Sequence, residues 1–172
     1  MAKIIRSITS VLFGSWPHAD GTVNPIEWEL LKQDGNKALL ISKNGLTQRR
    51  FDEDSNVWAD SEIRHWLNNE FLNAAFTEAD KTAILETELP DVGTTDKVFL
   101  LSCEEAETLF KCDEERRLGK MWWLRSPGFH GFLAAFVYGE YGGVRAAGFY
   151  VEGVFGVRPA LWMNLDSDIF KS

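Results

Sequence analysis

Positive charge is scarce in this sequence. Its 172 residues include 18 Lys and Arg against 26 Asp and Glu, so the formal net charge is −8. A nucleic-acid-binding surface needs a concentrated Lys/Arg face, and anionic membranes attract the same residues. The one basic cluster, Arg116 and Arg117, directly follows Asp113, Glu114 and Glu115, which largely cancel it. The sequence therefore predicts no nucleic-acid partner and no binding to an anionic bilayer.

Cysteine and histidine are also rare. Only Cys103 and Cys112 occur, which excludes a framework of several disulfides. Two free thiols are the expected state, and a single bond between them stays an open alternative. His18, His65 and His130 do not lie at metal-ligand spacing from one another or from a cysteine. No metal ion and no cofactor are predicted.

Long apolar runs are missing. No segment is apolar over the length that a bilayer requires, and residues 1–7 lack the apolar stretch of a signal peptide. We therefore expect no membrane insertion and a protein that is cytoplasmic as synthesised. Assembly into a phage particle, or display on a cell surface by another route, stays open as a destination.

The known motifs of catalysis are absent as well. The chain has no GxSxG, HExxH or P-loop motif, and its Gly142-Gly143 pair lacks the following helix that a phosphate-binding loop needs. Cys103 follows Ser102 at a predicted helix start, where the helix N-terminus can lower a thiol pKa. Because no histidine is near it in sequence, we expect a buried thiol there. The sequence predicts a protein that is not an enzyme.

A β-hairpin is the clearest local pattern in the first two thirds of the chain. Residues 26–32 largely alternate apolar and polar side chains, Asp34-Gly35-Asn36 is a strong turn signal, and residues 37–42 return as the second arm. Strands are also predicted over 10–16 and 97–101, with loops over 44–58 and 113–120. Helical spacing predicts a helix over 61–76, and capping patterns predict further helices beginning near Thr77 and Ser102.

The composition changes at residue 122. The segment 122–162 contains all three tyrosines, five of the twelve phenylalanines and eight of the fourteen glycines, and it contains no Asn, Asp or Lys. Such a glycine density is incompatible with a helix, so we predict short strands joined by turns. Val144, Val151 and Val157 are expected to face inward. Inward alanines and valines would leave Phe136 and Tyr138 pointing outward.

Large side chains in this segment are the candidate ligand contacts. Tyr and Phe give a large contact area at a small entropy cost, and exposed apolar patches mark interaction sites. The alternative is that several of them, above all Phe132, Phe149 and Phe155, belong to the core of a sheet. The candidate ligand-binding residues are Phe129, His130, Phe132, Leu133, Phe136, Tyr138, Tyr141, Arg145, Phe149, Tyr150, Val154 and Phe155. Trp122, Trp123, Arg125, Pro127, Arg158 and Pro159 are assigned to structure, with the two arginines expected to pair with carboxylates or backbone carbonyls.

Two phrases in the C-terminal third resemble a known domain family. These are residues 122–128 (WWLRSPG) and 156–161 (GVRPAL), supported by residues 25–28 (PIEW), 37–42 (KALLIS), 66–71 (WLNNEF) and 97–102 (KVFLLS). With them the chain resembles the bacterial and phage C-type-lectin-fold family that includes the variable proteins of diversity-generating retroelements. The resemblance extends from about residue 10 to residue 165.

The resemblance implies a single α+β domain over residues 1–172. In it, two main helices flank a small twisted antiparallel sheet, the first and last strands lie near each other, and the C-terminal third is irregular strand and loop. It also implies that residues 122–162 form a variable region, rewritten at adenine-rich codons such as those of Asn. The absence of Asn and the many aromatics there agree with a rewritten copy. The implied function is recognition of a protein or cell-surface ligand through a diversifiable face.

The family pattern is incomplete in two respects. The Glu-Pro-Asn, Gln-Pro-Asp and Trp-Asn-Asp motifs of calcium-dependent sugar binding are absent, which argues against a calcium-bridged sugar site. Formylglycine-generating enzymes share the implied fold, but their catalytic cysteine pair lies late in the chain, whereas both cysteines here precede Trp122. The alternatives are a surface or particle-decoration module without diversification and, less favoured, an enzyme of the formylglycine-generating type.

Overall fold

The computed structural model describes residues 10–17 and 20–171, so His18 and the N-terminal segment lie outside the described residues. The described chain forms three β-sheets, with 39% of the structure in strands and 23% in helices. The expected fold, with two main helices flanking one small sheet, is therefore wrong. Apart from one continuous helical run over residues 62–75, the helical segments are three to seven residues long, and two large sheets supply most of the core.

Eleven strands and four short α-helices follow one another along the described chain. The strands are β1 (Ser10–Pro17), β2 (Val23–Asp34), β3 (Lys37–Ser42), β4 (Thr47–Arg49), β5 (Thr87–Leu89), β6 (Thr94–Asp96), β7 (Trp122–Pro127), β8 (Leu133–Val137), β9 (Val144–Tyr150), β10 (Phe155–Val157) and β11 (Ala160–Asn164). The helices are α1 (Glu62–Trp66), α2 (Leu72–Ala75), α3 (Glu78–Ala83) and α4 (Cys103–Leu109), and a π-helical turn over Leu67–Phe71 joins α1 to α2.

The first large sheet is antiparallel, with strand order β1-β2-β3-β11. Its β2–β3 hairpin pairs Asp34 with Lys37, and Gly35 has a φ of 59°, a conformation that glycine adopts without strain. The predicted hairpin and the predicted strand near residue 10 are confirmed. The first and last strands lie on opposite edges of this sheet, which corrects the expectation that they are neighbours.

The second large sheet has the order β4-β10-β7-β8-β9 and carries the aromatic segment. β10 runs parallel to β7, and the other neighbours are antiparallel. The predicted series of short strands after residue 122 is confirmed. The segment 44–58, predicted to be loop, contains β4. The segment 97–101, predicted to be a strand, is not one: it forms an isolated bridge between Phe99 and Ala160, and the carbonyl oxygen of Leu101 accepts a hydrogen bond from the N–H of Arg125.

Helix starts agree with their capping patterns. Ser61 accepts a hydrogen bond from the backbone of Arg64 at the start of α1, and reciprocal capping boxes at Thr77 and Ser102 begin α3 and α4. These three predicted starts are confirmed. Within the described residues, no helix has the length and apolar character needed to cross a bilayer.

Buried arginines connect the two large sheets to the surrounding segments. Arg125 donates to the carbonyl oxygen of Leu100 at 2.8 Å and pairs with Asp91 and Glu105, which confirms the pairing expected of it. Arg158 donates to the carbonyl oxygen of Ser42 at 2.7 Å. Its own burial is deep enough to lower the pKa of Arg158 to about 10, which leaves the guanidinium charged at neutral pH.

The segment 113–120 is only partly the solvated loop that the sequence predicts. Its Asp113–Arg116 stretch is a 3-10 turn, and the Arg116 side chain is buried. Arg116 donates to the carbonyl oxygens of Gly142 and Ala106 and pairs with Asp113. Arg116 therefore connects the turn after β8 to α4, although it lies in a run of polar residues.

Candidate aromatic binding surface

The structure divides the twelve candidate residues into three groups by burial. Leu133 and Tyr138 are half-buried, and Phe136 and Phe155 are buried, each with 7% of its surface exposed. The other eight are exposed: Phe129, His130, Phe132, Tyr141, Arg145, Phe149, Tyr150 and Val154. The segment therefore presents aromatic side chains to solvent and also contributes rings to the core.

Six of the exposed residues lie at one end of the β8–β9 hairpin. We call them the outer aromatic face: Phe129, His130, Phe132, Phe149, Tyr150 and Val154. The rings of His130 and Phe132 stack with centroids 5.9 Å apart, and those of Phe132 and Tyr150 stack at 5.8 Å. Exposed fractions of 75% at Phe129 and 53% at Tyr150 leave much of this surface in contact with solvent.

Backbone hydrogen bonds hold the loop that carries half of this face. The N–H of Phe129 donates to the carbonyl oxygen of Ala147 in β9 at 2.9 Å, and the N–H of Val151 donates to Phe132 at 3.0 Å. Asn56 adds a side-chain clamp, because its Nδ2 donates to the carbonyl oxygens of His130 and Leu133 at 2.9 and 3.0 Å. Sequence reasoning missed Asn56, since 74 residues separate it from His130.

A bulge in β9 sets the direction of the last two rings of the face. The register jumps between the pairs Phe136–Arg145 and Ala134–Phe149, so β9 carries extra residues there. Gly148 lies in this bulge with a φ of 93°, and a Cβ on it would lie 2.8 Å from the carbonyl oxygen of Ala134. Only glycine fits this close approach of two strands without a shift of the backbone.

Beneath the outer face lies a second set of rings, which we call the inner aromatic cluster: Phe51, Trp123, Phe136 and Phe155, all buried. Phe149 contacts Phe155 with centroids 5.2 Å apart, and Phe155 stacks on Trp123 at 4.4 Å. The rings thus form a continuous series of contacts from the surface into the core.

Two of the candidate ligand contacts belong to this inner cluster, which corrects their assignment. Phe136 pairs with Trp123 across β7 and β8, and residues that pair directly across antiparallel strands share a face of the sheet. Phe136 therefore points into the core and not outward as expected. Phe155 is buried by its contacts with Trp123 and Phe136. Neither ring can contact a partner in this conformation.

A separate tyrosine pair lies at the turn end of the same hairpin. The rings of Tyr138 and Tyr141 stack with centroids 5.7 Å apart and planes within 7°, and the Arg145 guanidinium lies 5.6 Å from the centroid of the Tyr138 ring. Tyr138, expected to point outward, is half-buried and packs against the core, whereas Tyr141 is 68% exposed. Both tyrosines are candidate ligand contacts by sequence, and the structure brings them into contact.

The two cysteines differ in burial. Both cysteines are free, with Cys103 half-buried and Cys112 exposed. Burial raises the pKa of the Cys103 thiol, although a hydrogen bond with Ser126 acts in the opposite direction. Among the described residues, no three His, Cys, Asp or Glu side chains come together in a way that could hold a metal ion.

The described residues also form an open cleft of about 780 Å³, located where the ends of β1 and β2 face β4. Its lining mixes apolar side chains such as Trp16 with polar ones such as Asn24 and Gln48. Glu27 lines it too, but this carboxylate pairs with Lys43 at 3.3 Å. None of the candidate residues lines the cleft, so it is a different surface from the outer aromatic face.

Comparison with known proteins gives one match. The sequence model of a family described as a domain of unknown function (DUF6273) matches residues 35–165, which is most of the chain. The matched part begins in the β2–β3 turn and ends after β11, so it contains the whole second sheet and every residue of the outer face. No curated protein and no solved structure matches the chain.

Proposed function

The chain belongs to the DUF6273 family, and we propose that it is a non-enzymatic binding protein that contacts a protein or cell-surface ligand through the outer aromatic face. The observation that carries this proposal is the exposed stack of His130, Phe132 and Tyr150. Contiguous apolar surface of this kind is uncommon on a soluble domain unless it contacts a partner.

The construction of the face supports the proposal. Binding through flexible side chains loses affinity, because each side chain must be ordered when the complex forms. Here the rings are already arranged against one another, and the loop that carries Phe129, His130 and Phe132 is tied to β9 and to Asn56. Part of the entropy lost in ordering these side chains is therefore lost when the protein folds and not when it binds.

Residue type supports the proposal further. Phe and Tyr rings have two side-chain torsions, so they offer a large contact area for little conformational entropy, and aromatic residues are enriched where interfaces carry their energy. The sheet below the face is a rigid base, since Phe149 packs on the buried Phe155 and Phe136. Exposed side chains on such a base are free to change without altering the core.

Two forms of the proposal differ in how the face arose. In the first, it is diversified by a retroelement and residues 122–162 are rewritten between copies. In the second, it is a fixed module on a surface or a particle. The nucleotide sequence separates them: a nearby reverse transcriptase and a near-copy of codons 122–162 that differs only at adenines would support the first form. Even then, we expect Phe136 and Phe155 to be kept as large apolar residues, because both are buried.

Site-specific photo-crosslinking tests the proposal directly. A photoreactive phenylalanine analogue is placed at Phe132, and the matched control carries it at Phe170, which is 44% exposed and lies in the C-terminal turn. After exposure to cell extract or intact cells of the source organism, we expect one saturable adduct from position 132. A Tyr150→Ser change in the same protein should remove it.

Comparison with the control position shows which results would contradict the proposed function. The adduct could form equally from positions 132 and 170, or competing unlabelled protein could fail to reduce it. Either result would show only nonspecific binding by exposed rings. The proposal would also be wrong if the saturable adduct formed from a position in the cleft, such as Gln48, and not from position 132.

A further inference from the structure

We infer that the partner segment seated on the outer aromatic face is basic, with Arg or Lys side chains held against its rings. This inference rests on the proposed function and adds the chemistry of the partner. Its basis is an acidic border on one side of the face, combined with the absence of Lys and Arg from the six residues of the face.

The segment between Asp52 and Asn56 runs along the edge of the face. The backbone N–H of Asp52 donates to the carbonyl oxygen of Val151 at 3.3 Å, and that of Asn56 donates to Gly131 at 2.8 Å. Val151 directly follows the last residue of β9, and Gly131 lies inside the loop that carries the first three residues of the face. Residues 53–55 are therefore held beside the stacked rings.

This border is negatively charged. Glu53 and Asp54 lie in the segment just described, Glu152 follows Val151, and all three are exposed. Among the residues that the structure describes, no Lys or Arg forms an ion pair with any of them. The cation nearest to them in sequence, Arg50, donates to both carboxylate oxygens of Glu62 at 2.7 and 2.8 Å, and Glu53 attracts it only from beyond ion-pair distance.

The face itself contains no Lys or Arg. Between residues 129 and 154 the only Lys or Arg is Arg145. Its guanidinium already lies over the Tyr138 ring, at the turn end of the hairpin and away from the stack. An acidic partner or an anionic lipid surface would meet repulsion here, and the net charge of −8 adds to that repulsion over longer distances.

The rings and the carboxylates together indicate which partner side chains bind at this face. The faces of Phe and Tyr rings attract cations, and Arg is the cation that stacks on rings most often. A carboxylate beside a ring adds a second, salt-sensitive attraction for the same side chain. Strand addition to the edge of β9 is disfavoured, because the bulge at Gly148 interrupts the edge and Ala147 already accepts a hydrogen bond from Phe129. Side chains of the partner, and not its backbone, would make the main contacts.

Defined peptides test this inference even while the natural partner is unidentified. We would titrate the isotope-labelled protein with three peptides of equal length, built from Gly-Arg, Gly-Gln and Gly-Glu repeats, and follow the backbone amide signals by NMR. We expect the Gly-Arg peptide to shift the signals of residues 129–132 and 149–154, and its binding should weaken when salt is raised. The Gly-Glu peptide should leave these signals unchanged.

Two sets of substitutions separate the ring and charge contributions. Phe132→Leu with Tyr150→Leu keeps apolar surface but removes the aromatic faces, and we expect Gly-Arg binding to weaken about two- to fivefold per ring. Glu53→Gln, Asp54→Asn and Glu152→Gln together should weaken it further at low salt and remove its salt dependence. The matched control neutralises three exposed carboxylates elsewhere: Asp34→Asn, Glu86→Gln and Glu88→Gln.

The possible results lead to different conclusions. Equal binding of the Gly-Gln and Gly-Arg peptides, or signal changes that lie mainly outside residues 52–56 and 129–154, would overturn the basic-partner inference. If the natural partner found by crosslinking at position 132 still binds the triple neutralised protein at full strength, the inference fails while the proposed function stands. If no saturable crosslink forms at all, the proposed function itself fails.

Discussion

The inner aromatic cluster and the outer aromatic face are both built largely of aromatic rings on the second large sheet and the segments next to it, yet they have opposite exposure. Trp123 and Phe136 are buried, whereas Phe132 and Tyr150 are at least half exposed. Strand register explains much of the difference. Phe136 pairs directly with Trp123 inside the sheet, while Phe132 precedes β8 and lies in a loop at its end.

The two sets also differ in what fixes them. Trp123 donates from its indole to the carbonyl oxygen of Arg49 at 2.9 Å and stacks on Phe155, so it connects two segments of the fold. Phe132 and Tyr150 mainly contact each other and their neighbours in the face. Stability and binding should therefore respond to different substitutions, although the rings form one continuous series of contacts.

The largest effect is expected for the inner cluster. Trp123→Ala removes a fully buried ring and leaves the carbonyl of Arg49 without its indole donor, which should cost about 3–5 kcal/mol in the free energy of unfolding. Denaturant unfolding followed by circular dichroism measures this. Tyr150→Ala, the matched change in the outer face, should cost less than about 1 kcal/mol. Equal losses from the two variants would abolish the distinction between the cluster and the face.

A smaller effect is expected at the bulge that joins the two regions. Gly148→Ala forces a side chain into a positive-φ position against the carbonyl of Ala134, which should cost about 1–3 kcal/mol. We also expect it to weaken partner binding, since Phe149 and Tyr150 follow directly. Gly131→Ala is the control, because a Cβ at that position meets no atom within 4 Å. Thermal unfolding and crosslinking yield from position 132 report the two effects separately.

The local elements of this fold could largely be predicted from the sequence, because their signals are short-range. The β2–β3 hairpin follows from alternation and a turn at Gly35, and the starts of α3 and α4 follow from capping residues. β4 could not be predicted because three residues show no period, and it pairs only with the distant β10. The family resemblance predicted the arrangement of sheets and helices wrongly, since short matching phrases do not specify which strands become neighbours.

The composition of the candidate site was predictable, but its division into buried and exposed rings was not. Alternation along β8 leaves two choices of face, and the prediction places alanine and valine inward. In fact Ala134, Ala135 and Phe136 are all buried, because both faces of this strand are covered. No local pattern marks Asn56 either, since its two hydrogen bonds to the loop depend on a contact between distant segments.

The tyrosine pair shows a contrast within one stack. Tyr138 is half-buried against the core and lies under Arg145, so Tyr138→Ala should cost about 1–2 kcal/mol. Tyr141→Ala removes a ring that is mostly in solvent and should change stability by less than about 0.5 kcal/mol. Denaturant midpoints of the two variants decide this. A larger loss from Tyr141→Ala would mean that the stack, and not burial, stabilises the turn.

The smallest effect is expected for the two thiols, one half-buried and one exposed, whose substitution should leave the fold unchanged. Because burial raises the pKa of Cys103 above its ordinary value of 9.0, a smaller fraction is thiolate at neutral pH, about tenfold less for each pKa unit. A thiol reagent should therefore modify the exposed Cys112 first, and Cys103→Ser should remove only the slow phase.

The raised pKa of Cys103 gives a stabilisation that is complete below pH 9.0 and is lost as the pH rises through the pKa of the folded protein. Cys103→Ser should accordingly reduce the loss of stability at alkaline pH. A faster reaction at Cys103 than at Cys112 would contradict the burial of Cys103.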